Sequence, residues 1–252
     1  MNDRVLVISG LDPSGGAGIA ADIETINQFG VTSLPIVSVL TVQNTESVID
    51  TQTVASELLE AQFQHLKQDV TINVVKLGLL GSSDLIHQVG QWLSELGHPR
   101  VVLDPIIRAT SGSALLNVEA TEALLALLPQ VEVLTPNAAE LAQLVPDVEE
   151  FEAVQSLPCP YVLVTNADAD SEVIEHRLYV QGALFERYHY HKLPGHYHGS
   201  GCTLASAVSA LIASGVEVEV AVKKALDYTY QSLLNAKTIG KMQFNPNRQK
   251  PA

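Results

Sequence analysis

Short apolar runs alternate with amphipathic stretches along almost the whole of this chain, and few folds accept that rhythm. Val5–Ser9, Pro35–Leu40, Val74–Leu77, Val101–Leu103, Val131–Leu134 and Tyr161–Val164 read as buried strands, most closed by a polar or turn-forming cluster. Helical periods lie between them. After the first strand, Ile19, Ile23 and Ile26 share one face, and Gly30 stands where a left-handed residue ends a helix. A second helix is expected around Ser56–Gln68 and a third over Ser83–Leu96, where Leu85, Val89, Trp92 and Leu96 form one stripe before Gly97 and Pro99. Strands alternating with helices imply βαβ units, because a parallel pair needs a crossover, and so a mainly parallel sheet covered on both faces.

The period changes at Arg177–His191, where β-favouring residues flank Gln181-Gly182 and predict an antiparallel hairpin at the sheet edge. Two helices, roughly Cys202–Ala213 and Val218–Ala236, follow. Residues 241–252 are polar and Pro-containing, and are expected as a tail or a segment laid on the surface. With no linker, repeat or low-complexity tract, the 252 residues read as a single α/β domain over 1–252.

Charge narrows the partners. Lys plus Arg total 14 against 28 Asp plus Glu, a formal charge of −14 that repels nucleic acid and anionic membranes. No apolar run approaches the length of a membrane span, and no signal-like core follows Met1, so a cytoplasmic location is expected. Cys159 and Cys202 are too few for a disulfide framework. An acidic chain that handles a polyphosphate needs local compensation from helix N-termini, a few cations and a metal ion.

In open α/β sheets ligands gather at the C-terminal ends of strands, so the residues that follow each strand carry the functional argument. Gly10-Leu11-Asp12-Pro13-Ser14-Gly15-Gly16-Ala17-Gly18 is a tight glycine-rich turn opening a helix, with Asp22 about one turn in. It has neither the Gly-Lys-Ser/Thr of a Walker loop nor the glycine spacing of a dinucleotide fingerprint. His198-Gly199-Ser200-Gly201-Cys202-Thr203 opens a second helix, whose exposed N–H groups form an anion hole suited to a phosphoryl group in transfer. At such a helix start the Cys202 thiol is expected to have a lowered pKa. Asp104-Pro105 and Thr135-Pro136-Asn137-Ala138-Ala139-Glu140 follow neighbouring strands; carboxylates there suit a hydrated Mg²⁺, although the same residues are good turn formers and caps. Gln43 follows the second strand with an amide suited to a heterocycle edge, and Lys76 lies in a buried strand, where it needs a partner. His189, His191, His196 and His198 recur without a Cys or carboxylate at ligand spacing and read as surface or loop residues.

Taken in order, Gly10 to Asp22, Leu40 to Thr45, Lys76-Leu77-Gly78, Leu103-Asp104-Pro105, Thr135-Pro136-Asn137 and His198 to Thr203 resemble the hydroxymethylpyrimidine/phosphomethylpyrimidine kinases of thiamine biosynthesis. The resemblance covers nearly the whole chain. It implies a three-layer ribokinase-like fold, a homodimer, and ATP- and Mg²⁺-dependent phosphorylation of 4-amino-5-hydroxymethyl-2-methylpyrimidine and of its monophosphate. By that match Gly10, Asp22 and Gln43 line the pyrimidine pocket, and Gly199, Ser200 and Gly201 form the anion hole. Cys202 takes the place of a catalytic base, or orients the substrate hydroxyl, while Asp104, Asn137, Glu140 and Thr165 lie on the nucleotide and Mg²⁺ side. Two stretches depart from the family. Where it often carries Lys-Gly-Gly-His, this chain reads Thr165-Asn166-Ala167-Asp168, and Ile239 to Phe244 is an imperfect version of the glycine-rich finish. A pyridoxal kinase of the same superfamily and a non-catalytic pyrimidine-binding protein stay open as alternatives. Arg108–Ser113 is the candidate lid, and Lys76 and Arg108 are the candidate local cations.

Overall fold

Alternation along the first strand sets the layers. In β1 (Arg4–Leu11), Val5 and Val7 join one apolar cluster, while Leu6 and Ile8 join another on the opposite face. Every one of these side chains is buried, as a strand covered on both faces requires. The computed structural model describes residues 3–107, 115–166, 171–241 and 243–249.

The first cluster is completed by α1 (Gly18–Gln28), α7 (Ser200–Ala213) and α8 (Val218–Leu234). The second takes α2 (Ser56–Asp69), α3 (Ser83–Glu95), α4 (Val118–Leu127), α5 (Ala138–Leu144) and α6 (Glu150–Ser156). The result is the three-layer α/β arrangement expected from the sequence. In α3, Trp92 stacks on Phe63 of α2 with ring centroids 4.6 Å apart and donates to Glu60 Oε2 at 2.7 Å, so its one polar atom is satisfied in the core.

Between these layers lies a nine-stranded sheet. It contains β1, β2 (Thr32–Gln43), β3 (Val48–Thr53), β4 (Val74–Leu77), β5 (Arg100–Leu103), β6 (Val133–Leu134), β7 (Tyr161–Val164), β8 (Val173–Val180) and β9 (Ala183–His191). Its order is β3-β2-β1-β4-β5-β6-β7-β8-β9, parallel from β2 to β7. The predicted hairpin is β8–β9, turning at Gln181 and Gly182, both with positive φ. Gly30 follows α1 at φ +72°, in its predicted left-handed role.

Three features differ from the sequence reading. β3 forms a second antiparallel edge, folded back on β2 through a turn in which Asn44 Oδ1 accepts from the N–H groups of Glu46 and Ser47. Its residues are exposed or half-buried, so it carries no buried apolar signal. The strand expected from Val131 begins only at Val133, after a 3-10 turn over Leu128–Gln130. The segment expected as a tail is, where described, built into the molecule: β11 (Phe244–Asn245) pairs with β10 (Lys237–Thr238), and Arg248 is only 3% exposed. Among the described residues no helix is long and apolar enough to cross a membrane.

Candidate active site

The chain order reverses at β1, with β2 on one side and β4 on the other, and a crevice opens there at the C-terminal ends of the parallel strands. It is a cleft of about 450 Å³. Gly10 lies at the end of β1, Gln43 at the end of β2, Asp104 just after β5, and Thr165 just after β7; all four line the cleft. Asn137, Glu140 and the run Gly199 to Cys202 line it too.

The glycine turn after β1 is wound around the carboxylate of Asp12. Oδ1 accepts from Ser14 N at 2.8 Å and Ser14 Oγ at 2.7 Å, and Oδ2 accepts from Ala17 N at 2.9 Å. His198 Nε2 also meets Oδ2, at 2.9 Å, and so ties this turn to the second glycine segment. Burial pushes the Asp12 carboxyl up, but the hydrogen bonds from His198 and Ser14 outweigh it and hold it well below the usual range. The N–H groups of Ser14 and Ala17 are thus used by the protein's own carboxylate. Gly18 closes the turn at φ +58°, where a Cβ would stand 2.2 Å from Gly10 O.

The second glycine segment begins α7. Gly199 is its N-cap, left-handed at φ +81°, and a Cβ there would meet Gly16 O at 2.0 Å. Thr203 N is the first donor to close on the helix, bonding Gly199 O. The helix therefore provides no acceptor for the N–H groups of Gly199, Ser200, Gly201 and Cys202. Their positive end faces Asp104, which is 4% exposed: a Cβ on Gly201 would lie 3.5 Å from both of its oxygens. Among the described residues Asp104 Oδ2 has no hydrogen-bond partner, and burial raises this carboxyl against the pull of Lys76.

Beneath this floor lies a buried ion pair. Lys76 points from β4 to the same face as Val74 and meets Asp22 of α1 at 2.9 Å, both side chains fully buried. Ser206 of α7 donates to the same Asp22 oxygen at 2.7 Å. Burial alone would lower the Lys76 ammonium's pKa; Asp22, Cys202 and Asp104 together hold it well above the usual lysine range.

Three expectations are corrected here. Asp22 does not line the cleft; its carboxylate is consumed by Lys76 and Ser206 beneath it. Lys76 is likewise a structural counter-ion and not a cation facing a ligand. The Cys202 thiol is 5% exposed, and burial pushes its pKa up, with Asp104 and Asp22 adding to the rise and Lys76 opposing it. The lowered pKa expected at a helix start is therefore reversed, because desolvation of a thiolate outweighs the partial charge of one helix end.

Asn137 and Glu140 form a capping box on α5, Glu140 N donating to Asn137 Oδ1 at 2.8 Å and Asn137 N to Glu140 Oε2 at 2.9 Å. Their capping role is thus realised on the wall of the cleft. Thr165 is fixed beside them through Ala138 N to Thr165 O at 3.0 Å. Arg108–Ser113 and the residues Ala167 and Asp168 lie outside the described residues. Sequence reasoning missed Asp12 and took His198 for a loop residue; their only signal was a carboxylate inside one glycine segment and an imidazole bordering the other.

The protein-family comparison places residues 12–247 in the phosphomethylpyrimidine kinase model. The thiamine biosynthesis multifunctional protein ThiED of Corynebacterium efficiens is 35% identical over 92% of this chain, which spans 32% of that longer protein. The hydroxymethylpyrimidine/phosphomethylpyrimidine kinase of Haemophilus influenzae is 32% identical, covering 94% of this chain and 93% of its own. Among solved structures, an ADP complex of Bacillus subtilis pyridoxal kinase superposes with a TM-score of 0.88 at 25% identity, covering 98% of each chain. With the family model spanning nearly the whole sequence and a full-length kinase relative 32% identical, this chain belongs to the phosphomethylpyrimidine kinase family.

Proposed function

We propose that this chain transfers the γ-phosphoryl group of ATP to the hydroxymethyl oxygen of 4-amino-5-hydroxymethyl-2-methylpyrimidine, and then a second one to the resulting monophosphate. In the first step the hydroxymethyl oxygen bonds to the γ-phosphorus, the bond to the β,γ-bridging oxygen breaks, ADP leaves with that electron pair, and the hydroxyl proton is released. The observation that carries this reading is the start of α7, whose donors from Gly199 to Cys202 face the buried carboxylate of Asp104 across the cleft. Preorganised N–H donors at a helix start stabilise charge on the transferring group, and one such donor is worth about 3 kcal/mol.

The Cys202 thiol, kept protonated by burial, orients the substrate hydroxyl and does not act as a base. A loose transition state loses its hydroxyl proton late and asks little of a base. Gly10 and Gln43 give the pyrimidine a close backbone approach and an amide able to donate and accept at the ring edge. Glu140 and the Asp104 oxygen that meets no donor among the described residues, both on the cleft, are a donor set that fits a hydrated divalent cation. Bound there, Mg²⁺ would supply positive charge to neutralise the phosphates. Asn137 and Thr165 place amide and hydroxyl groups on the nucleotide side. A homodimer belongs to the same reading through the resemblance, and the cytoplasmic location expected from the sequence fits it.

Pyridoxal is the alternative substrate, favoured by the close superposition on a pyridoxal kinase. A coupled ADP-release assay with ATP·Mg²⁺ and, separately, the hydroxymethylpyrimidine, its monophosphate and pyridoxal decides among the readings. Turnover on the two pyrimidines is expected. Turnover on pyridoxal alone would move the assignment, and silence on all three with pyrimidine binding would make the chain a binding protein.

A further inference from the structure

We propose that Arg248 is a positioning residue, which holds the two glycine segments in register so that the donors at the start of α7 meet the transferring phosphoryl group. The inference rests on the kinase reading above. Its guanidinium reaches three separate parts of the fold at once. Nε donates to Thr203 Oγ1 at 2.9 Å, Nη1 to Glu24 Oε2 at 3.0 Å and to Gly15 O at 3.4 Å, and Nη2 to Gly16 O. Thr203 Oγ1 in turn donates to Gly199 O at 2.8 Å, so the chain of bonds fixes the peptide at the N-cap of α7. Gly16 O is also the atom that a Cβ on Gly199 would strike. Arg248 thus sits where the two segments touch, and it is only 3% exposed.

A planar fork with donors on three nitrogens is what this geometry uses; a lysine offers one point of charge and cannot span these acceptors. The backbone that delivers the fork is itself pinned: Tyr228 OH donates to Arg248 O at 2.5 Å and Asn247 N to Ser232 O at 2.9 Å. Phe244 N donates to His196 O, and His198 N to Phe244 O, tying the same segment to the approach of α7. Misplacement of the α7 donors by a fraction of an ångström weakens bonds made in the transition state more than those made to the bound pyrimidine.

The test compares wild type, Arg248→Met, Arg248→Lys and Thr203→Val in steady-state kinetics and in native-state amide hydrogen exchange. For Arg248→Met, kcat is expected to fall on the order of 10²-fold per folded molecule, with the pyrimidine KM little changed. Arg248→Lys should fall in between, and the loss from Thr203→Val should largely overlap that from Arg248→Met. Amides of residues 15–18 and 199–203 should exchange faster in Arg248→Met while those of β4 and β5 do not. Unchanged exchange in both segments, a kcat loss that only tracks the unfolded fraction, or a lysine as good as the arginine would each overturn the proposal. The exchange comparison needs no substrate. Should wild type turn over none of the pyrimidines, the kinase reading fails, and exchange alone decides whether Arg248 holds the two segments.

Discussion

Replacing Lys76 by methionine tests whether the buried pair under the cleft floor is a structural necessity. Lys76 and Asp22 are both fully buried at 2.9 Å, and Ser206 gives Asp22 its only other hydrogen bond among the described contacts. Removing one member of such a pair leaves an uncompensated charge in the core, which costs about 3–5 kcal/mol. Total stability for a domain is about 5–15 kcal/mol, so this is a large fraction. At about 2–4 °C per kcal/mol for a domain of this size, Tm should fall by about 6–20 °C. Urea unfolding followed by fluorescence reads the same quantity, because the chain has one tryptophan and Trp92 is buried at 1% exposure. The double variant Lys76→Met/Asp22→Leu removes both charges and should recover much of the loss, since apolar replacements of a buried pair are often near neutral. A Lys76→Met protein that loses less than about 1 kcal/mol, or a double variant no better than the worse single one, would refute the reasoning.

Neither cysteine should react with a maleimide in the native protein at pH 8, because burial pushes Cys159 up to about 12 and Cys202 higher still; both should label in denaturant, and a fast native equivalent would contradict the burial argument. His176 is held down to about 4 by burial and then by Arg177, with Nδ1 accepting from Asn166 N at 3.4 Å. Between the ordinary histidine value of 6.5 and about 4 the unfolded chain binds a proton that the folded one does not, so stability should fall as pH drops through that window. The total loss is about 3 kcal/mol, and His176→Phe should flatten the slope in urea titrations at several pH values. Gly199→Ala places a Cβ 2.0 Å from Gly16 O at φ +81° and should abolish turnover. Gly30→Ala, at φ +72° with nothing within 4 Å, should cost only about 1–2 kcal/mol and leave turnover unchanged.

The parallel sheet was legible because β1, β4, β5, β6 and β7 are buried almost throughout and read as apolar runs, while the more exposed β2 shows a buried run only around residues 36–39. The hairpin at Gln181-Gly182 and the stop at Gly30 were legible because left-handed turns demand particular residues at particular places. β3 was not, since its exposed residues carry no burial pattern. Gly10, Gln43, Asp104, Thr165 and the run from Gly199 to Cys202 follow strands or open a helix, and topology alone brought them to one cleft. Asp22 and Cys202 failed differently: their surroundings come from distant elements, and burial decided both the partner of the one and the ionisation of the other. Arg248 was invisible because three of its partners are main-chain carbonyls and a threonine hydroxyl, and the carboxylate it meets, Glu24, lies 224 positions away.

The bond between Arg248 and Gly16 joins residues 232 positions apart, and that between His198 and Asp12 spans 186. A chain emerging from the ribosome therefore exposes its first glycine turn long before anything exists to hold it. Its early β-α units can dock as they appear, yet competence arrives abruptly with the last segment. On the positioning role proposed for Arg248, a nascent or clipped chain that stops short of it would keep its nine-stranded sheet and still be an idle protein.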